Sequence, residues 1–198
     1  MKTDITAIRS RIKQQRRQLD VNHRQQRSWM MCEQLKKHKY FLNSRHLAVY
    51  LPMQGEISPL PLVDVARQLG KSIYLPVLTR FKKNQLWFAQ WHADSKLQTN
   101  RYGIPEPVYQ GRDLIPATHL DLVVTPLVAF DQACHRIGMG GGYYDRSFNF
   151  LRFRQHWKKP ALVGVAYEFQ QVPHIKPQPW DIPLQLVFTE KKHYSSSQ

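Results

Sequence analysis

Between His46 and Leu78 the period of the apolar pattern changes twice, and no other feature restricts the fold as strongly. His46 to Leu51 reads as a strand that ends at Pro52. Ser58 is placed to cap a helix, with Pro59 at the first helical position, where a missing N–H removes no bond. Leu60, Val63, Val65, Ala66 and Leu69 fill that helix, and Gly70 ends it. Ser72 to Leu78 is a second β-rich run. Strand, helix and strand in this order predict a βαβ unit with a parallel sheet.

The flanking segments extend the same scheme. Residues 3 to 19 read as a helix with Ile5, Ile8, Ile12 and Leu19 on one stripe. Asp20 is placed to cap a second helix that buries Trp29, Cys32 and Leu35. Leu86 to Trp91 reads as an added strand, and Leu122 to Thr125 as a short strand stopped by Pro126. A helix is expected from Tyr143 to Leu151, and strands over Leu162 to Ala166 and Leu186 to Thr189. The expected fold is a single α/β domain with a mostly parallel central sheet and helices on both faces. Its N-terminal helices would span about 3–40, its body about 45–190, and a frayed tail 195–198.

The chain has 198 residues, of which 42% are hydrophobic, enough for one core. No apolar run reaches the length of a membrane span, and the charged start is not followed by the apolar stretch of a signal peptide. Cys32 and Cys134 are too few for a secreted disulfide scaffold. A reduced, cytoplasmic protein is expected. The formal charge of +15 is concentrated from Arg9 to Arg27 and from Lys36 to Lys39. It suits a nucleic acid, an anionic small ligand such as a nucleoside triphosphate or a polyglutamate, or a plain basic surface. No RNP-type aromatic motif or zinc-finger spacing accompanies it, so a nucleic-acid partner is not expected.

The most informative segment runs from Asp121 to Arg146. A strand leads to a loop holding Gly138, Met139, Gly140, Gly141 and Gly142, then Tyr143, Tyr144, Asp145 and Arg146. Ordering three adjacent glycines is entropically expensive. Bare amides that approach a phosphate closely would offset that, as would a helix starting just after the loop. A tight turn is the plainer reading. The pattern matches neither a P-loop, which needs Gly-Lys-Ser/Thr, nor a dinucleotide loop, which needs glycine where Tyr143 stands. Arg136 and Arg146 flank the loop and suit phosphate oxygens. Asp145 is a candidate Mg²⁺ ligand or a helix cap. The histidines lack metal-ligand spacing, and only His135 lies beside the loop. Cys134 shows no sign of nucleophilic activation, which favours structural burial.

The string from Arg136 to Arg146, RIGMGGGYYDR, resembles the signature of the 5-formyltetrahydrofolate cyclo-ligase family. Leu51 to Ile57, Tyr102 to Pro107, Gln170 and Trp180 to Leu184 are similar to further family segments in the same order. The resemblance covers about Ile8 to Thr189. It implies that Arg9, Lys13, Arg136, Gly138, Met139, Gly140, Gly141, Gly142, Tyr143, Tyr144 and Asp145 bind ATP. It implies folate contacts from Leu51, Met53, Glu56, Gly140, Gly141, Gly142, Tyr143 and Tyr144. It further implies Mg²⁺ on Asp145 and Asp181, and catalytic roles for Arg136, Tyr144 and Arg146.

The family's first helix usually begins Lys-x-x-Leu-Arg. Here Ile8-Arg9 matches Leu-Arg, and Ile5 replaces the lysine. Lys2, Arg9, Arg11 or Lys13 are the charges at hand. The implied reaction converts 5-formyltetrahydrofolate, with or without a polyglutamate tail, to 5,10-methenyltetrahydrofolate with ATP and Mg²⁺, in a monomer. The alternatives are a relative that binds nucleotide or folate without turnover, motivated by Ile5, and a nucleic-acid-associated protein, motivated by charge alone.

Overall fold

A computed structural model describes residues 4–79, 84–154 and 159–196. The chain opens with α1 (Ile5–Gln18), whose first amides are capped by the Asp4 carboxylate. Asp20 caps α2 (Val21–Leu35) through the His23 amide at 3.0 Å, as the sequence predicts. The short α3 (Lys39–Leu42) follows. Then come β1 (His46–Ala48), α4 (Leu60–Gln68), β2 (Ser72–Leu78), β3 (Leu86–Gln90), β4 (Leu97–Thr99), β5 (Pro105–Pro107), β6 (Leu114–Ile115) and β7 (Leu122–Pro126). The last third holds β8 (Ala129–Phe130), β9 (Arg136–Ile137), α5 (Tyr143–Phe148), β10 (Ala161–Val165), β11 (Leu186–Phe188) and β12 (His193–Ser195).

Among the described residues, eight strands form one sheet in the order β12-β11-β10-β7-β1-β2-β3-β6. The five inner strands β11, β10, β7, β1 and β2 are mutually parallel, and the outer pairings are antiparallel. Both faces are covered, which is why the inner strands are apolar at nearly every position. Leu47, Leu75, Leu122, Val124 and Val163 pack on one face with Met31 and Leu35 of α2 and Leu62 and Ala66 of α4. Ala48, Val123, Leu162 and Val187 pack on the other with Phe148 and Leu151. The expected βαβ unit is β1, α4 and β2. Its helix starts at Leu60, with the Ser58 hydroxyl accepting from the Leu60 amide at 3.2 Å, and Gly70 closes it at φ 68°.

Several local expectations differ. Strand β1, expected to reach Leu51, ends at Ala48, and Pro59, expected at the first helical position, is the N-cap of α4. Trp29 is 57% exposed, because the buried stripe of α2 is Ser28, Met31, Cys32 and Leu35, which places position 29 off that face. Leu69 is also 57% exposed, at the end of α4. The helix expected to reach Leu151 ends at Phe148 and continues as a 3₁₀ turn, Asn149–Phe153. Ser195, expected in a frayed tail, pairs with Leu186 at the sheet edge. Residues 197–198 lie outside the described residues.

Candidate active site

Because the inner strands are parallel, the segments leaving β1, β7, β10 and β11 gather along one edge, the carboxyl edge where such sheets hold ligands. The segment after β7 forms the hairpin β8–β9 and then the glycine loop. Gly140 has φ 100° and Gly142 φ 61°, backbone conformations that L side chains rarely adopt. A Cβ on Gly142 would lie 2.7 Å from Arg146 Nη1, and one on Gly141 3.0 Å from the Tyr143 ring. Met139 is 61% exposed, and Gly140 and Gly141 are exposed as well. Among the described residues the amides of 138–142 donate to no protein acceptor. The loop therefore presents bare N–H groups to solvent, and α5, six residues long, follows directly.

Three arginines frame this loop. Arg9 of α1 donates from Nε to the Gly138 carbonyl at 2.9 Å and lies 3.5 Å from the position of a Cβ on Gly140. Arg136 donates to the Asp145 carboxylate and to the Ile182 carbonyl. Arg146 donates to the Gly141 carbonyl at 2.6 Å and the Asn84 carbonyl at 2.7 Å, with its guanidinium over the Tyr143 ring. Tyr143 also meets the hydroxyl of Tyr102 at 2.9 Å, which ties α5 to the β4–β5 turn. Lys13 is exposed one turn beyond Arg9, Arg11 is exposed, and Ile5 is 39% exposed. Lys2 lies outside the described residues.

The segment after β1 builds a second half-site. Tyr50 turns inward and its hydroxyl donates to the Ile57 carbonyl at 2.5 Å. Met53 to Glu56 form a tight turn, with Gln54 at φ 52° and Gly55 at φ 76°. Gly55 lies against α1, where a Cβ would stand 3.1 Å from the Arg16 carbonyl oxygen. Glu56 Oε2 accepts the Met53 amide at 3.1 Å, and Oε1 lies 3.7 Å from Arg16 Nη1. Burial pushes the Glu56 carboxyl above its ordinary value, opposed by the Met53 amide and the Arg16 charge. Tyr144, half-buried, links the halves: burial raises its hydroxyl pKa, with further influence from Glu56 on one side and Arg136 on the other. Leu51 packs partly on the core, and Met53 is half-exposed.

The two expected metal ligands are joined through the backbone: Asp145 Oδ1 accepts the amide of Ile182, which follows Asp181. Asp181 Oδ2 accepts the Gln178 amide at 2.8 Å. No group of three or more His, Cys, Asp or Glu suited to a metal occurs among the described residues. Two hard carboxylates suit Mg²⁺, which commonly takes one or two carboxylates plus water and phosphate oxygens. His135 is held by Asp131 through its amide at 2.9 Å and its ring at 3.0 Å, a structural arrangement. Burial pushes the Cys134 thiol up to about 11 and Cys32 to about 12, as expected for inert cysteines.

Sequence reasoning missed Arg16 and Tyr50. Arg16 had a readable signal: it stands four residues after Ile12 and three before Leu19, on the apolar stripe of α1, where a charge demands a partner. Tyr50 falls inside the expected strand His46 to Leu51, and no local signal marks its inward turn.

Fold and site together define a class: a single α/β domain with a loop of bare amides at the carboxyl edge of a parallel sheet, beside a nearly buried carboxylate. The chain belongs to the 5-formyltetrahydrofolate cyclo-ligase family, whose model matches residues 1–190. It is 38% identical over 181 residues to the 5-formyltetrahydrofolate cyclo-ligase of Escherichia coli K12, covering 91% of this chain and 97% of that protein. It is 38% identical over 143 residues to the Haemophilus influenzae protein of the same name, covering 71% and 73%. The NMR structure of Aquifex aeolicus 5,10-methenyltetrahydrofolate synthetase superposes with a TM-score of 0.82 at 28% identity, covering 99% of this chain and 94% of that one.

Proposed function

We propose that this chain converts 5-formyltetrahydrofolate and ATP to 5,10-methenyltetrahydrofolate, ADP and phosphate. The observation that carries this reading is the row of amides at 138–142, which meet no acceptor among the described residues, beside Arg9 and Arg136 and ahead of Tyr144, whose hydroxyl feels the charges of both Glu56 and Arg136. A formyl oxygen is a poor leaving group and N10 a weak nucleophile. In the proposed sequence the formyl oxygen attacks the γ-phosphorus and the bond to the ADP oxygen breaks. N10 then attacks the activated carbon and loses its proton, and the carbon–oxygen bond breaks as phosphate departs.

The chemistry calls mainly for positioning and neutralisation of charge. The amides of Gly138 to Gly142 hold phosphate oxygens, and Arg9, Arg136 and Arg146 offset their charge, with Lys13 adding to the field. Arg136, Tyr144 and Arg146 lie closest to the transferred group in this reading. Glu56 accepts the pterin N–H groups, while Leu51, Met53 and the rings of Tyr143 and Tyr144 form the walls. Asp145 and Asp181 would hold Mg²⁺, which shields phosphate charge when bound. The net charge of +15 draws both anionic substrates, including a polyglutamate tail. No helix among the described residues is long and apolar enough to cross a membrane. The protein is proposed to act as a cytoplasmic monomer without nucleic acid.

The product absorbs in the near ultraviolet where the substrate does not. An absorbance rise that requires protein, ATP, Mg²⁺ and 5-formyltetrahydrofolate together is expected. A flat trace with folded protein refutes the assignment.

A further inference from the structure

We infer that Arg16 is a positioning residue for the folate: anchored on the Leu127 carbonyl, its guanidinium keeps Glu56 an ionised acceptor with Oε1 left open. The inference rests on Glu56 being the pterin's acceptor. Arg16 is 5% exposed, so its charge has few places to go. Nη2 donates to the Leu127 carbonyl at 2.5 Å, which fixes the guanidinium on the segment leaving β7. Nη1 stands 3.7 Å from Glu56 Oε1, too far for a hydrogen bond but close enough for strong attraction where both side chains are nearly buried. Oε2 is taken by the Met53 amide. Among the described residues no hydrogen bond occupies Oε1. The carboxylate is thus held by charge on one oxygen and by an amide on the other, and Oε1 keeps lone pairs that no protein donor among the described residues occupies.

The backbone supports the same geometry. The turn at Gly55 seats on the Arg16 carbonyl, which also accepts from Arg24 Nη2 at 3.0 Å. Side-chain substitution at position 16 therefore leaves the seat of the turn intact. The groups around Glu56 are Arg16 from α1, Arg24 from α2 over Gly55, Tyr50 beyond β1 and Tyr144 from α5. Arg16 supplies the nearest positive charge to the carboxylate. A pterin offers adjacent N–H donors, and a protonated carboxyl would meet one of them with an O–H. Loss of Arg16 should therefore weaken folate most at acid pH.

The test is 5-formyltetrahydrofolate binding followed by intrinsic fluorescence across pH, without ATP, on wild type, R16Q, R16K and E56Q. In R16Q the acid limb is expected to move up by about one pH unit, about tenfold in Kd on that limb. In R16K, which keeps the charge but not the planar fork, the limb should stay in place while Kd rises a few fold. A limb in R16Q that coincides with wild type overturns the inference. R16K/E56Q compared with E56Q closes the cycle and decides the matter even if R16Q does not fold. The lysine change should weaken binding beside Glu56 and have no effect beside glutamine, whereas equal losses in both backgrounds overturn it. Wild-type folate affinity in E56Q is a different result, and it defeats the assignment of Glu56 itself.

Discussion

Replacing Gly140 with alanine separates a phosphate cradle from a turn that merely reverses the chain. Its φ of 100° lies beyond the left-handed well open to L-residues. Alanine held there stores about 1–3 kcal/mol of strain. The new Cβ would stand 3.5 Å from the Arg9 guanidinium, an ordinary contact, so the penalty is torsional rather than steric. The free loop has two options. It keeps its shape and loses stability, or it relaxes and must be driven back when ATP needs the original amide directions. If all the strain falls on stability, Tm drops by about 2–4 °C per kcal/mol for a chain of this size. If all of it falls on binding, KM for ATP rises about 5- to 150-fold. Gly138→Ala is the control, because nothing lies within 4 Å of its Cβ and its φ is not positive. The absorbance assay with ATP varied at saturating folate and Mg²⁺ measures one arm, and calorimetry measures the other. G140A with both a wild-type Tm and a wild-type KM for ATP would mean that a relaxed loop binds ATP equally well, and would refute the cradle.

Three further outcomes follow from the geometry. Asp145→Asn keeps an oxygen for the Arg136 and Ile182 donors but removes the charge. Its half-saturating Mg²⁺ should rise about tenfold or more, with some loss of stability because the mostly buried Arg136 loses its counter-charge; an unchanged Mg²⁺ titration excludes Asp145 as a ligand. Burial raises Glu56 above its ordinary 4.5, so the folded chain holds that proton more tightly than the unfolded chain. The contribution of this group to stability is therefore full below 4.5 and is lost as pH rises through the raised value, so E56Q should flatten that part of the Tm–pH curve while raising the KM for folate. A Tm–pH curve in E56Q parallel to wild type refutes this assignment. Cys32 and Cys134, with thiols pushed up to about 12 and 11, should resist an aromatic disulfide reagent in the native protein and react after unfolding; rapid native labelling would contradict their burial.

The sheet was legible because a parallel strand buried on both faces has to be apolar almost throughout, and β2 and β7 are. Helix starts were legible because Asp20 and Ser58 act locally on amides a few residues away. Strand ends were less so: β1 was expected to reach Leu51, yet pairing stops at Ala48, where the chain turns Tyr50 inward. Nothing local distinguishes a tyrosine that continues a strand from one that leaves it. At the candidate site the motif flagged the glycine loop and its flanking arginines. It could not show that Arg136 already engages Asp145, or that Arg146 folds back on Gly141, because both depend on side-chain packing. Arg16 lay outside the motif, and only its place on an apolar stripe marked it.

Helix α1 joins the two half-sites, and this bears on the substitution at position 5. Arg9 and Arg16 are seven residues apart, so they lie on one face about 10 Å from each other along the axis. One grips Gly138 and the other grips Leu127 and approaches Glu56. Between them Ile12 packs with Val128, Ala129 and Ile137, which fastens the helix to the segment that carries the loop. The distance from the proposed anion cradle to the proposed acceptor pocket is then set by helical geometry rather than by loops. A phosphoryl transfer between two bound ligands needs this, since a misplacement of about 1 Å can lower the rate about 100-fold. In that reading Ile5 removes one charge at the helix start and leaves the brace intact, because the grip on the loop comes from Arg9 through a carbonyl. The effect of position 5 then falls on ATP affinity, and the spacing of the half-sites does not depend on it.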